Sequence, residues 1–408
     1  MNPERTVVGR RRPRDRKDQI ARVAAESFSE LGYHGVSMQD LAGRVGVTAA
    51  SLYRHYDSKY ELFRASVLGL SEKLLACTAF VDQHGADGVA AEEAWDRAVS
   101  ALVETTVTNR SSGGLYRWER RYLHADDQAV LDAQIKCVNA RLQRVLARLR
   151  PALSTRERLM LSSAVLSVIG SITDHRARLP TARIHTTLSR IADDIRDTDV
   201  PCVAAPSGAP HSPAVTSGGV GEYERILGAA MRLFAERGYR DTGMDDVAAS
   251  VAMAASGLYR FFSGKGAILS AAFRRGADRV SGDLSQVLAA GESPAIALDR
   301  LVHAYVRRSC EDPELAYVYY AERTNLPADD RAALHNIQRA TVEAWARLLG
   351  AARPELLPNE ARFAVHAAFS MVVDLEPLVR HGYARAGQAP QPVLRRLMQA
   401  TLVGHEPG

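Results

Sequence analysis

The sequence predicts an all-α protein made of two tandem copies of one module, and three observations carry that prediction. Apolar residues recur at helical spacing along nearly the whole chain, with no strand-like alternation. Ala, Arg and Leu abound while aromatic residues make up only 6%, a balance that favours helices. The pattern Ile20, Phe28, Gly32, Tyr33, Met38, Leu52, Tyr53, Arg54, Lys59 returns as Ile226, Phe234, Gly238, Tyr239, Met244, Leu258, Tyr259, Arg260, Lys265, at a constant offset of about 206. So long a period signals duplication of a whole domain; solenoid repeats run about 20–50 residues.

The elements follow in order. Residues 16–31 place Ile20, Val23, Ala24, Phe28 and Leu31 on one helical face and stop at Gly32. Ser37-Met-Gln-Asp40 resembles a capping box and opens a short helix to Val45. Gly46 allows a tight turn, Thr48 is a natural N-cap, and the next helix runs over 49–56. Asp57 and Ser58 start a long helix past Leu75. Helix, short turn, helix is the geometry that lets a second helix enter a DNA major groove. Residues 198–221, rich in Pro, Gly, Ser and Ala, form a linker. The domains are therefore a basic arm (1–14), head 1 (15–75), helical domain 1 (76–197), linker (198–221), head 2 (222–281) and helical domain 2 (282–408).

Composition narrows the function classes. A chain of 408 residues exceeds one core. No stretch approaches the ~20 apolar residues of a membrane span, and the N-terminus lacks the apolar region of a secretory signal. Cys77, Cys137, Cys202 and Cys310 are scattered and read as free thiols in a reducing cytosol, with no metal site and no cofactor implied. Residues 1–64 carry twelve Arg and Lys against eight acids, whereas 221–270 balance six against six. The first copy should attract phosphate, in a salt-dependent way, more than the second. Arg10, Arg11 and Arg12 are either part of that attraction or a solvated tail.

The segment from Ser37 through Gly46, Thr48, Leu52, Tyr53 and His55 to Lys59, preceded by Phe28, Gly32 and Tyr33, closely resembles the signature of the TetR/AcrR family of bacterial regulators. The resemblance implies a three-helix DNA-binding head followed by a helical domain that dimerises and binds a small effector, whose arrival releases a double-stranded DNA operator. Carried onto this chain, Thr48, Ala49 and Ser51 approach base edges. Ser37, Tyr53, His55 and Lys59 hold phosphates, and Arg44 adds a backbone contact. In the second head Ser256, Tyr259, Arg260 and Lys265 are the weaker counterparts. That head departs from the pattern: Gly46 becomes Ala252, Thr48 becomes Ala254, Ser51 becomes Gly257 and His55 becomes Phe261. The run from Gly257 to Lys265 is not a phosphate-binding loop, because six residues separate its glycines and Gly266 stands where Ser or Thr should hold magnesium.

Past the heads the copies align again, at an offset of 203: Tyr116, Glu119, Arg120, Leu123 and Asp127 match Tyr319, Glu322, Arg323, Leu326 and Asp330. Each copy is thus a complete module, and the chain reads as two protomers fused. It either folds back as an intrachain pseudo-dimer or pairs with a second chain as a homodimer. Residues 160–172 and 361–375 are apolar enough to serve as dimerisation helices or core. Trp118, Glu119, Arg120, Tyr122, Glu322 and Arg323 are the candidate effector-pocket residues, the alternative being plain core and structural ion pairs. The expected function is a cytoplasmic, sequence-specific DNA-binding repressor responsive to an unidentified small molecule. The competing reading is a co-regulator or protein-interaction module whose second head is a non-DNA-binding scaffold. No catalytic motif supports an enzyme.

Overall fold

The computed structural model describes residues 13–83, 89–112, 114–201, 221–384 and 389–404. Arg10–Arg12, Cys202 and nearly all of the linker lie outside the described residues. Among those described, the chain is helical with no strand, and no helix is long and apolar enough to cross a membrane. The all-α expectation holds.

The chain divides into two compact units at places the domain boundaries did not anticipate. One holds residues up to Ala76 together with Asn109–Ile135; the other holds Cys77–Thr108 and Lys136–Gly408. Head 1 is therefore grouped with a piece of the helical domain that follows it. The reason is packing: Leu115, Leu123 and Leu131 join Ile20, Phe28, Leu41, Leu52 and Phe63 in one buried cluster.

In the first unit, α1 (Pro13–Leu31), α2 (Met38–Val45) and α3 (Ala49–Tyr53) form the head, and α4 (Lys59–Cys77) leads out of it. Gly32 ends α1 at φ 72°, a conformation a β-carbon disfavours, and its N–H returns to Phe28 O at 2.9 Å. After α5 (Ala91–Thr108), which belongs to the other unit, α6 (Leu115–Trp118) and the start of α7 (Ala125–Leu149) close the core from the far side. Asp127 fixes this segment to α4: its carboxylate accepts from Tyr60 Oη and Arg64 Nε, both at 2.5 Å. Those hydrogen bonds, Arg64's first, hold the Asp127 carboxyl below the usual carboxylate range.

The second unit contains α8 (Thr155–Gly170) and α9 (Thr181–Asp197) of the first copy and all described helices of the second. Head 2 comprises α10 (Glu222–Arg237), α11 (Met244–Ser250) and α12 (Ala255–Leu258). Then come α13 (Lys265–Ala289), α14 (Pro294–Glu311), α15 (Pro313–Glu322), α16 (Ala328–Ala352), α17 (Pro358–Ala384) and α18 (Gln391–Val403). Val318, Leu326 and Leu334 close the head 2 core as their counterparts close head 1.

The helices α8 and α9 pack against α17 and α18, one pair from each copy. Between them Ser167 Oγ donates to Asp374 at 2.5 Å, Ser370 Oγ donates to Asp174 at 2.8 Å, and the rings of His175 and His366 stack 4.1 Å apart. The two apolar stretches singled out in the sequence thus lie on α8 and α17, in contact.

Candidate nucleic-acid interface and effector cavity

Head 1 is held by short-range hydrogen bonds that its own sequence supplies. Ser37 Oγ accepts the Asp40 N–H at 3.1 Å while the Asp40 carboxylate accepts the Ser37 N–H at 3.0 Å, a complete capping box. The Ser37 hydroxyl bond lowers the Asp40 carboxyl pKa further than any other influence on it. Gly46 turns the chain at φ 75°, and Thr48 Oγ1 accepts from Ser51 N–H at 3.3 Å to start α3. The recognition helix is shorter than its expected 49–56: regular helix ends at Tyr53, and His55 N–H returns to Leu52 O in a tighter turn. Leu52 is fully buried and anchors α3 from below.

On the outer face of α3, Thr48 and Tyr53 are exposed, while Ala49, Ser51 and His55 are half-buried. Tyr53 leaves half of its surface to solvent, as Tyr259 does at the same position of head 2. Arg54, part of the repeated pattern but outside the expected contact set of head 1, is exposed beside Tyr53 and forms no ion pair among the described residues. Its signal in the sequence is a cation directly after Tyr53, at the C-terminal cap of α3. Lys59 opens α4, its ammonium 4.4 Å from the centre of the Tyr33 ring. Like the Thr48 hydroxyl, Ser37 and Arg44 of the expected set have structural partners. The Ser37 hydroxyl is committed to its cap, and Arg44 bridges Glu30 at 3.0 Å and Ser27 at 3.1 Å.

Head 2 has the same layout with the hydroxyls removed. Gly243 stands in place of Ser37, so Asp246 still accepts the Gly243 N–H at 2.7 Å but nothing returns the bond. Ala254 heads α12 with no side-chain cap. The turn residue Ala252 is forced to φ 55°, where its glycine counterpart is at ease. Ser256, Tyr259, Arg260 and Phe261 are exposed. Lys265 is turned inward: its ammonium donates to Tyr239 O at 2.8 Å and to Arg240 O and Thr242 O, both at 3.1 Å. Burial, then the Arg240 charge, lower its pKa. All three N–H groups of this lysine are thereby spent on the loop that follows α10.

The second copy also holds a partly open cavity of about 180 Å³ between α13, α14, α15, α16 and α17. Phe273, Tyr305, Tyr319, Tyr320 and Phe369 supply aromatic walls, and Gln338 and Thr341 add polar groups. None of the six expected pocket residues lines it. Glu322 is fully buried and accepts from Tyr239 N–H at 2.9 Å and Asn325 Nδ2 at 2.7 Å, which ties α15 to head 2. Arg323 starts the 3₁₀ turn that follows. In the first unit Trp118 is buried beneath Arg117, Tyr122 stacks on Tyr33 at 5.7 Å, Arg120 pairs with Asp132 at 2.7 Å, and Glu119 lies 3.8 Å from Arg121. Glu119, Arg120 and Glu322 thus have structural partners, and the cavity is lined by other residues.

Residues 20–66 and 226–272, the two heads, each match the family model described as bacterial regulatory proteins, tetR family. The HTH-type transcriptional activator FasR of Mycolicibacterium smegmatis is 45% identical over 58 residues, covering 14% of this chain and 26% of that protein. The biofilm operon icaADBC HTH-type negative transcriptional regulator IcaR of Staphylococcus epidermidis is 47% identical over 51 residues, or 12% and 28% of the two chains. This chain thus matches about a quarter of the length of these curated relatives. A solved TetR-family transcriptional regulator from Bordetella parapertussis is 24% identical at a TM-score of 0.41, covering 45% of this chain and 94% of that one. Each head, with the helix-turn-helix geometry described above, thus carries a match to the tetR-family model, which this chain contains twice.

Proposed function

We propose that the protein is a sequence-specific DNA-binding transcriptional regulator in which head 1 is the principal reader. The observation that carries this reading is the outer face of α3, where a capped helix presents Thr48, Ser51, Tyr53 and Arg54 above the buried Leu52. Hydroxyls and a guanidinium there match base-edge and phosphate acceptors. The cavity of the second copy is the effector site, and its filling releases the operator, so that the protein represses transcription until the effector arrives. The packing of α8 and α9 on α17 and α18 supports an intrachain pseudo-dimer: the chain folds back on itself and one polypeptide supplies both halves of the interface.

Selection of bound sites from a random duplex pool tests this. Enrichment of a defined half-site whose binding falls on Tyr53→Ala and on Arg54→Ala is the expected result. Sequence-blind binding, or a site unaffected by both changes, removes head 1 from the reading role. Light scattering on the intact chain separates the pseudo-dimer, seen as a monomer, from a homodimer.

A second reading has its own support. Lys265 is occupied by loop carbonyls, α12 lacks a cap and Phe261 replaces the head 1 histidine, so head 2 acts as a scaffold that does not grip DNA. A selected site with a single kind of half favours it; two unlike halves about one turn apart count against it.

A further inference from the structure

The polar groups around the cavity say what it accepts. Two arginines reach its edge, and both are neutralised. Arg308 is bound in a two-pronged pair by Asp283, with the Nη2 contact at 2.6 Å. Arg279 donates to Asp312 at 2.6 Å and has Glu224 at 3.9 Å. A ligand carboxylate or phosphate would have to break one of these pairs, and a cation would find no carboxylate that is not already bound. An unpaired charge brought into such a site is disfavoured unless it is matched.

Neutral hydrogen bonding is divided the same way. Thr341 Oγ1 donates to Ile337 O at 3.0 Å and Ser309 Oγ to Tyr305 O at 3.0 Å, so both hydroxyls serve their own helices. Tyr319 Oη donates to Gln338 Oε1 at 2.6 Å, which leaves the Gln338 amide N–H groups. The Tyr305 hydroxyl makes no hydrogen bond among the described residues, although its ring is fixed by Phe369, stacked at 4.4 Å, and by Trp345 at 6.1 Å. Burial raises the Tyr305 pKa, so the phenol stays protonated and able to donate. The Tyr305 phenol O–H and the Gln338 amide N–H thus remain as donors on a wall that is mostly apolar. The volume, about 180 Å³, is near the ~150 Å³ of an apolar cavity that holds benzene.

We propose that this cavity takes an uncharged, ring-sized apolar molecule whose carbonyl-type oxygen accepts hydrogen bonds from Tyr305 and Gln338. The proposal rests on the reading of the cavity as the effector site and narrows it to one chemical class. An anionic acyl conjugate and an amine fall outside it.

Four probes of similar size separate the possibilities: methyl benzoate, toluene, benzoate and benzylamine. Each is titrated into the intact chain by calorimetry and by the fluorescence of Trp345, which lies against two cavity rings. Methyl benzoate should bind at least tenfold more tightly than benzoate or benzylamine. Tyr305→Phe, which keeps the ring, should weaken methyl benzoate by about three- to tenfold, the worth of one hydrogen bond. Toluene, which has no acceptor, should be unmoved by that change, and Gln338→Leu should behave likewise. Equal binding of benzoate, or an ester-to-toluene ratio unchanged by Tyr305→Phe, overturns the chemical class and leaves the effector site standing. If no probe binds, or if filling the cavity with Ala277→Leu leaves all affinities unchanged in a chain whose melting temperature is intact, the effector-site reading itself fails.

Discussion

Head 1 and head 2 bury the same framework and differ in what surrounds it. Leu52 and Leu258 are both fully buried, Phe28 and Phe234 nearly so, and each core is closed by the same three positions downstream. Around those cores the local chemistry has diverged. Ser37, Gly46 and Thr48 give head 1 two complete caps and an unstrained turn, whereas Gly243, Ala252 and Ala254 leave head 2 with half a capping box, no cap on α12 and a left-handed alanine. A core can be kept by conserving apolar volume alone, but a cap needs one particular side chain at one position. The second head therefore retained what holds it folded and lost what tunes the helix that would read DNA.

The largest test of this comparison is in the cores. Leu52→Ala and Leu258→Ala should each cost about 2–5 kcal/mol of stability in denaturant melts, because each empties a sealed site. A much smaller loss at Leu258 would mean that the second head is not packed as the first is. The next test is binding. Tyr53→Ala should weaken duplex binding by roughly fivefold or more, in line with the ~1 kcal/mol of a polar contact, and Tyr259→Ala by far less, read by titration at fixed salt. Equal losses would make the heads equal readers.

Smaller effects probe the turn and the caps. Ala252→Gly should stabilise head 2 by about 1 kcal/mol, since it relieves the left-handed alanine, while Gly46→Ala should cost head 1 a similar amount. Thermal melts of the pair should move in opposite directions. Thr48→Ala should cost about 1 kcal/mol and Ala254→Thr should return part of that to head 2.

The smallest effect is a pH dependence. The Asp40 carboxyl is held below its ordinary value by the Ser37 hydroxyl, so its contribution is present above the unfolded carboxylate range, about pH 4, and fades as pH falls through the lowered folded value. Ser37→Gly, which copies head 2, should flatten that acid-side slope in a stability-versus-pH series; an unchanged slope would assign it to other carboxylates such as Asp127.

Much of the fold was written in short-range patterns. The glycines at 32 and 46, the Ser37–Asp40 box and the Thr48 cap act within four residues of themselves, so spacing alone located the head helices. α3 ends three residues before the expected 56 because the backbone tightens after Tyr53 while the apolar pattern continues through Tyr56. The cavity is lined by none of the residues expected around an effector, for a different reason. Glu119, Arg120 and Glu322 are bonded to neighbouring structure. Tyr305, Gln338 and Phe369 carry no local mark, and only the meeting of five helices gives them a common space.

The sequence by itself determined the helices, the duplication and the unequal chemistry of the two heads, because each depends on residues close in the chain or on one copy compared with its twin. Tertiary structure alone decided that residues 109–135 belong with head 1, that Lys265 faces inward, that α8 and α9 meet α17 and α18, and where the cavity lies. Those outcomes depend on which buried surfaces fit together, and close packing between distant segments leaves no period in the chain to read.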